Sequence, residues 1–143
     1  MTLNPNLAAA WHFAGWLALY RGFPDDAVKN INNAMRLSPV DPLLFIQYAA
    51  LASAHLIAGR YDEATKAARA SIALQTNFTP ALRVLAASYA RMGDMSEARK
   101  TCERVRQLAP GVRISDVRAV TPFRNEADFA RYAEALKLAG FPD

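Results

Sequence analysis

A chain of 143 residues with one cysteine, Cys102, cannot hold an internal disulfide. That scarcity fits a reducing, cytoplasmic setting. Only two histidines are present, His12 and His55, and no grouping of Cys, His, Asp and Glu has metal-ligand spacing. The sequence therefore offers neither a metal site nor a cofactor site. A glycine-rich phosphate loop is missing, and the sequence shows no histidine placed to partner a serine nucleophile. Catalysis by this chain is not expected. Long apolar runs are absent as well: the best, Leu43 to Ala58, is interrupted by Gln47 and His55 and is too short to span a membrane. The first residues carry no basic flank or sustained apolar core, which predicts neither a signal peptide nor a transmembrane helix. Stretches rich in β-branched residues are short, so little in the chain favours strands.

What the chain has is helix-forming material. Hydrophobic residues make up 52% and charged residues 21%, enough apolar content for one ordinary domain and too little charge for disorder. Alanine, leucine and arginine are abundant, which predicts an all-α protein. The net charge of +4 is modest and reads as solvated arginine faces.

The helices repeat. Leu3 to Leu37 is 34 residues, Leu37 to Leu74 is 37, and Leu74 to Leu108 is 34 again. Gly22, Gly59 and Gly93 keep that step, as do Ala27, Ala64 and Ala98, each preceded by an acid. The phrases GFPDDA, GRYDEA and GDMSEA are one element written three times: a helix ends at glycine and the next opens with acids in its first turn, where the helix dipole favours them. Apolar periodicity predicts helices over Leu7–Arg21, Pro42–Ala58 and Thr79–Met92 before the glycines, and over Pro24–Leu37, Tyr61–Gln75 and Met95–Leu108 after them. The extra three residues of the second unit lie between Pro39 and Tyr48 and are expected to lengthen its first helix by about one turn.

This helical hairpin resembles the tetratricopeptide repeat, a unit with a large residue early in its first helix, glycine at the turn, a small alanine in the second helix and proline at the end. Trp11, Gly15, Gly22, Ala27, Ala34 and Pro39 carry the likeness in the first unit, Tyr48, Gly59, Tyr61 and Ala64 in the second, and Leu82, Tyr89, Gly93, Ala98 and Pro110 in the third. Thr76 stands where the second unit would have its proline. The resemblance implies a right-handed helical-hairpin solenoid, with repeats at about 8–41, 42–78 and 79–112 and a linker and capping helix over 113–143, all in one domain. Leu3-Asn4-Pro5 sits in the phase of Leu37-Ser38-Pro39, so it reads as the tail of an earlier repeat and the chain as a piece of a longer protein.

After Pro110 the repeat stops. A short turn of helix capped by Ser115 is expected, then a helix from Asn125 to Leu138 whose Phe129, Tyr132, Ala133 and Leu136 share one face and cover the last hairpin. The ending DFARYAEALKLAGFPD, with PALRVLAASYARMG and NPNLAAAWHFAGW before it, is similar to the C-terminal repeat region of bacterial class III adenylate/guanylate cyclases and related signalling proteins. That likeness concerns an accessory region: none of the residues here matches a cyclase's metal- or substrate-binding set, so no catalytic role carries over.

In repeats of this type the first helices line a concave groove, and the outward residues here include His12, Phe13, Trp16 and Tyr20, then Ile46 and Ile57, then Arg83 and Arg91. Such a groove is aromatic at one end and basic at the other, unlike the asparagine- and lysine-rich clamp that some relatives use for a partner's terminal carboxylate. The expected occupant is a protein or peptide segment, with an upstream domain of the same protein as one source. Alternatively these aromatics pack under neighbouring helices or missing repeats. Apolar surface near Leu7, Trp11 and Phe13 predicts self-association. A nucleic-acid-associated regulator using Arg99, Lys100, Arg104 and Arg106 is the other class of function the sequence leaves open. His55 is expected to pack in or beside the core, and Cys102 to be buried and inert.

Overall fold

The computed structural model describes residues 5–143, so Leu3 and Asn4 of the opening phrase lie outside the described residues. Among the described residues the chain is a succession of helices without strands: α1 (Pro5–Arg21), α2 (Pro24–Leu37), α3 (Leu44–Ile57), α4 (Tyr61–Leu74), α5 (Thr79–Arg91), α6 (Met95–Leu108), α7 (Ile114–Val120) and α8 (Glu126–Ala139). The first six pair as three hairpins, α1 with α2, α3 with α4 and α5 with α6. Neighbouring hairpins stack through α2 on α3 and α4 on α5, and the first helices also touch one another in order, forming a continuous inner wall.

Local chemistry sets each hairpin. At the second turn Gly59 has φ of +80°, a left-handed conformation that closes α3 and that side chains rarely adopt. Acids follow in the first turn of each second helix: Asp25 and Asp26 in α2, Asp62 and Glu63 in α4, Glu97 in α6. Ala27, Ala64 and Ala98 are fully buried where helices cross. Gly15 marks a still closer approach, since a Cβ there would lie 2.4 Å from the Cδ1 of Ile31.

The second repeat departs from the expected lengthened helix. α3 is 14 residues long and begins at Leu44, and the extra residues form a turn instead. Asp41 organises that turn: its carboxylate accepts from the Leu43 amide at 2.8 Å and from the Ser38 hydroxyl at 3.2 Å, while its carbonyl accepts from the Leu44 amide. A side chain that bonds its own following backbone competes with helix formation. The expected cap at Ser115 also shifts. α7 starts at Ile114, and the Asp116 carboxylate accepts from the Arg113 amide at 2.9 Å. α8 is capped at Asn125, whose side chain accepts from the Ala127 amide, and ends at Gly140.

The core runs the length of the array, from Leu19 in the first hairpin through Leu56, Leu82 and Val105 to Leu136 in α8. Trp16 bridges it to a smaller cluster of Ile31, Ala50 and Leu51. The described residues contain no helix long and apolar enough to cross a membrane.

Candidate functional site

The course of α8 decides what the concave face can do. Its buried residues Phe129, Tyr132 and Leu136 lie on the side expected from periodicity, with Ala133 half-buried. The helix does more than cover the last hairpin, however: the strap before it reaches back to the first. The Arg124 amide donates to the Tyr20 carbonyl at 2.8 Å, and a Cβ on Gly22 would stand 3.0 Å from the Asp128 carboxylate. Farther along, Arg131 donates to the Ile57 carbonyl at 3.4 Å and binds Asp128 at 2.6 Å. Arg91 then meets Glu134 at 3.3 Å, and the Pro142 carbonyl accepts from the Ile114 amide at 2.8 Å. Thus the strap reaches the C-terminal end of α1, and α8 crosses those of α3 and α5. The carbonyls left unpaired at the ends of α1 and α3 find donors there.

Several residues expected to face an open groove are consequently occupied. Ile57 is only 3% exposed, and α8 lies against α5. Arg91 pairs with Glu134 instead of facing solvent alone, and Tyr20 packs edge-on against Phe123 of the strap at 5.3 Å. The reason is physical: an apolar wall lined by small residues attracts the apolar face of a helix that the same chain supplies. Periodicity marks both faces, but their meeting depends on contacts far apart in sequence.

The remaining part of the face stays open. Phe13 is 69% exposed. His12 lies against it with ring centres 5.4 Å apart, and Trp16 follows, stacked on Tyr20 at 5.6 Å. Ile46, on α3, is half-buried. His12 Nδ1 is 2.9 Å from the Oε1 of buried Gln47, a contact the Nδ1–H tautomer satisfies. It fixes the ring between α1 and α3, and Gln47 is a participant that sequence reading saw only as an interruption of an apolar run. A cleft of about 250 Å³ opens here, bounded by Ala9, His12, Phe13, Leu43 and Gln47. Arg83 lies deeper, in the wall beside Tyr132, and belongs to a second cavity. The structure therefore groups His12 and Phe13 at the cleft, joins Trp16 to them through its ring and to Arg83 through the second cavity, leaves Ile46 half-buried on α3, and gives Tyr20, Ile57 and Arg91 contacts with the C-terminal segment.

The other reactive side chains fall as their phase suggests. Cys102 is buried, and burial pushes its thiol pKa up. His55 is half-buried; its Nδ1 accepts from Arg60 Nε at 2.9 Å, and Arg60 reaches Asp25 of the first hairpin at 2.9 Å. Burial first, then the Arg60 charge, lowers the His55 pKa. Because the folded pKa lies below the unfolded value of about 6.5, the neutral ring stabilises the fold above that pH, and the contribution is lost as pH falls through the folded pKa. Urea midpoints measured down from neutral pH are expected to fall less steeply below about pH 6.5 in His55→Gln than in the parent. Identical acid slopes would remove His55 from the pH response. Among the described residues no cluster of His, Cys, Asp and Glu could hold a metal.

A family model described as tetratricopeptide repeat matches residues 55–120, from the end of α3 through α7. Among solved structures, the first TPR of Spaghetti (RPAP3) bound to HSP90 peptide SRMEEVD is similar with a TM-score of 0.67 at 19% identity, covering 94% of this chain and 97% of that one. The first TPR domain of the human RPAP3 protein is similar at 0.68 and 20%, covering 95% and 94%. The crystal structure of MamA is similar at 0.69 and 23%, covering 95% of this chain and 78% of that one. No protein of curated function is similar enough in sequence to match. These likenesses are of fold.

Proposed function

We propose that this chain is a non-catalytic interaction module that holds an apolar partner segment on the open part of its concave face, along His12, Phe13, Trp16 and Ile46. The observation that carries the reading is the exposed ring of Phe13, continuous with His12 and Trp16 at the mouth of a cleft between α1 and α3. Rigid aromatic anchors of this kind supply most of the affinity in recognition of a helix or extended segment. A structure of the same fold was solved with a peptide, SRMEEVD, which supports peptide recognition as the use of the fold. The likeness of the C-terminal stretch to cyclase accessory regions supports a finer reading, in which the module is joined to a nucleotide cyclase or similar signalling domain in the cytoplasm and the segment comes from that protein.

Capture of the parent protein's remaining domains by the immobilised module tests this. His12→Ala together with Phe13→Ala is expected to weaken capture at least about tenfold, with helical content unchanged by circular dichroism. Abolition of capture by Arg99→Ala with Arg104→Ala, in the absence of an effect from the aromatic pair, would move the site to the exposed basic face of α6. A steep loss of that capture with added salt would then mark a polyanion partner.

A further inference from the structure

Arg83 sits on the inner wall of α5 without an acid. Its Nε is buried and has no hydrogen-bond acceptor. Every ion pair among the described residues uses another cation, and no Asp or Glu lines the cavity into which Arg83 is built. The cavity measures about 200 Å³. Trp16, Tyr20 and Ile57 bound it on the α1 and α3 side, Phe78 and Val84 on the α5 side, and Phe123 of the strap and Tyr132 of α8 complete it.

The polar atoms of this space are few and of definite character. Ser53 and Thr121 spend their hydroxyl protons on the carbonyls of Ala49 and Val117, at 3.0 and 2.7 Å. Burial raises the pKa of both Tyr20 and Tyr132, so each phenol stays protonated and can donate at neutral pH. The cavity thus offers one fixed cation and phenolic donors inside an otherwise apolar, largely aromatic wall. A guanidinium held this way has the neutral Tyr132 phenol as a hydrogen-bond partner and no anion, and the fork of its nitrogens matches a carboxylate. A phosphate dianion would bring two charges to a single cation in apolar surroundings. Size limits the ligand as well. Dry protein cavities of about 150 Å³ admit benzene, so this one, about 200 Å³ and open on one side, suits roughly eight to ten non-hydrogen atoms.

We propose that the cavity binds a small carboxylic acid with an apolar or aromatic body, its carboxylate on Arg83 and its body between Trp16, Phe78 and Phe123. The site depends on the strap and α8 being docked, so an occupant ties the C-terminal segment to the hairpins and stabilises the folded form by mass action. The inference shares Trp16 with the partner-segment reading and is otherwise separate from it, because neither His12 nor Phe13 lines this cavity.

The test is thermal melting and calorimetric titration of the full chain with phenylacetate and octanoate, each beside its neutral counterpart, 2-phenylethanol and octan-1-ol. Both acids are expected to bind saturably and raise the melting temperature, with affinities at least tenfold above those of the alcohols. Arg83→Met, which removes the unpaired cation and retains an apolar stem, is expected to fold and to lose the preference for acid over alcohol. Arg83→Lys is expected to keep part of it. Equal affinity for acid and alcohol in the parent, an acid preference unchanged in Arg83→Met, or no binding of either acid at millimolar concentration would each overturn the proposal. A short apolar peptide supplied with a free and with an amidated C-terminus separates the two sources of a carboxylate. Weaker binding of the free-ended peptide than of phenylacetate supports a small-molecule site, and tighter binding overturns it. Loss of partner capture in the His12→Ala and Phe13→Ala variant while phenylacetate still binds shows the two readings to be separate.

Discussion

Leu136→Ala is expected to lower the unfolding free energy by about 2–5 kcal/mol, the range for removing a fully buried leucine side chain. Leu136 is 0% exposed, at the centre of the face by which α8 docks on α5. Truncation removes transfer energy and leaves a void that the surrounding helices fill only in part. The same helix provides its own control. Leu138, two residues on, is 50% exposed, and Leu138→Ala is expected to cost a few tenths of a kcal/mol. Denaturant unfolding of both variants, followed by far-UV circular dichroism, compares the same chemical change on two sides of one helix. Equal losses would mean that α8 is not seated as described. A lower midpoint with a reduced slope for Leu136→Ala alone would show that the helix leaves its place before the hairpins unfold.

The second large effect is overpacking at the helix crossings. Ala64 and Ala98 are both 0% exposed, each in the second helix of its hairpin and one hairpin step apart in sequence. Leucine at either site adds three carbons where two backbones leave room for a methyl group, at a cost of about 1–3 kcal/mol. Lys66, exposed on the same helix as Ala64, supplies the comparison, and Lys66→Leu is expected to be nearly neutral. Three equal melting temperatures would break the assigned register.

Much of this architecture was legible because it is local. The glycine that ends one helix, the acids that open the next and the alanine at the crossing all act within a dozen residues, and they recur three times. Periodicity likewise placed Phe129, Tyr132 and Leu136 on one face of α8. It could not say which surface that face would find. The deciding contacts join Arg124 to Tyr20, Arg131 to Ile57 and Glu134 to Arg91, separations that no window of sequence spans. The turn at Asp41 failed for a different reason: Asp41-Pro42 signals a helix start, and here the carboxylate is used by the Leu43 amide and the Ser38 hydroxyl two residues short of the helix. The phase of Arg83 predicts a groove cation, whereas its isolation from acids is a property of the assembled cavity.

The strap's bond from Arg124 to the Tyr20 carbonyl has a consequence in time. Each hairpin forms from contacts close in sequence and can do so as soon as it is made, whereas this bond closes a loop across most of the chain. On a ribosome the inner wall of α1, α3 and α5 is complete and bare until α8 follows. During that interval its apolar lining is available to any passing helix, a chaperone's included, and the protein's own last segment must compete for the place it finally holds.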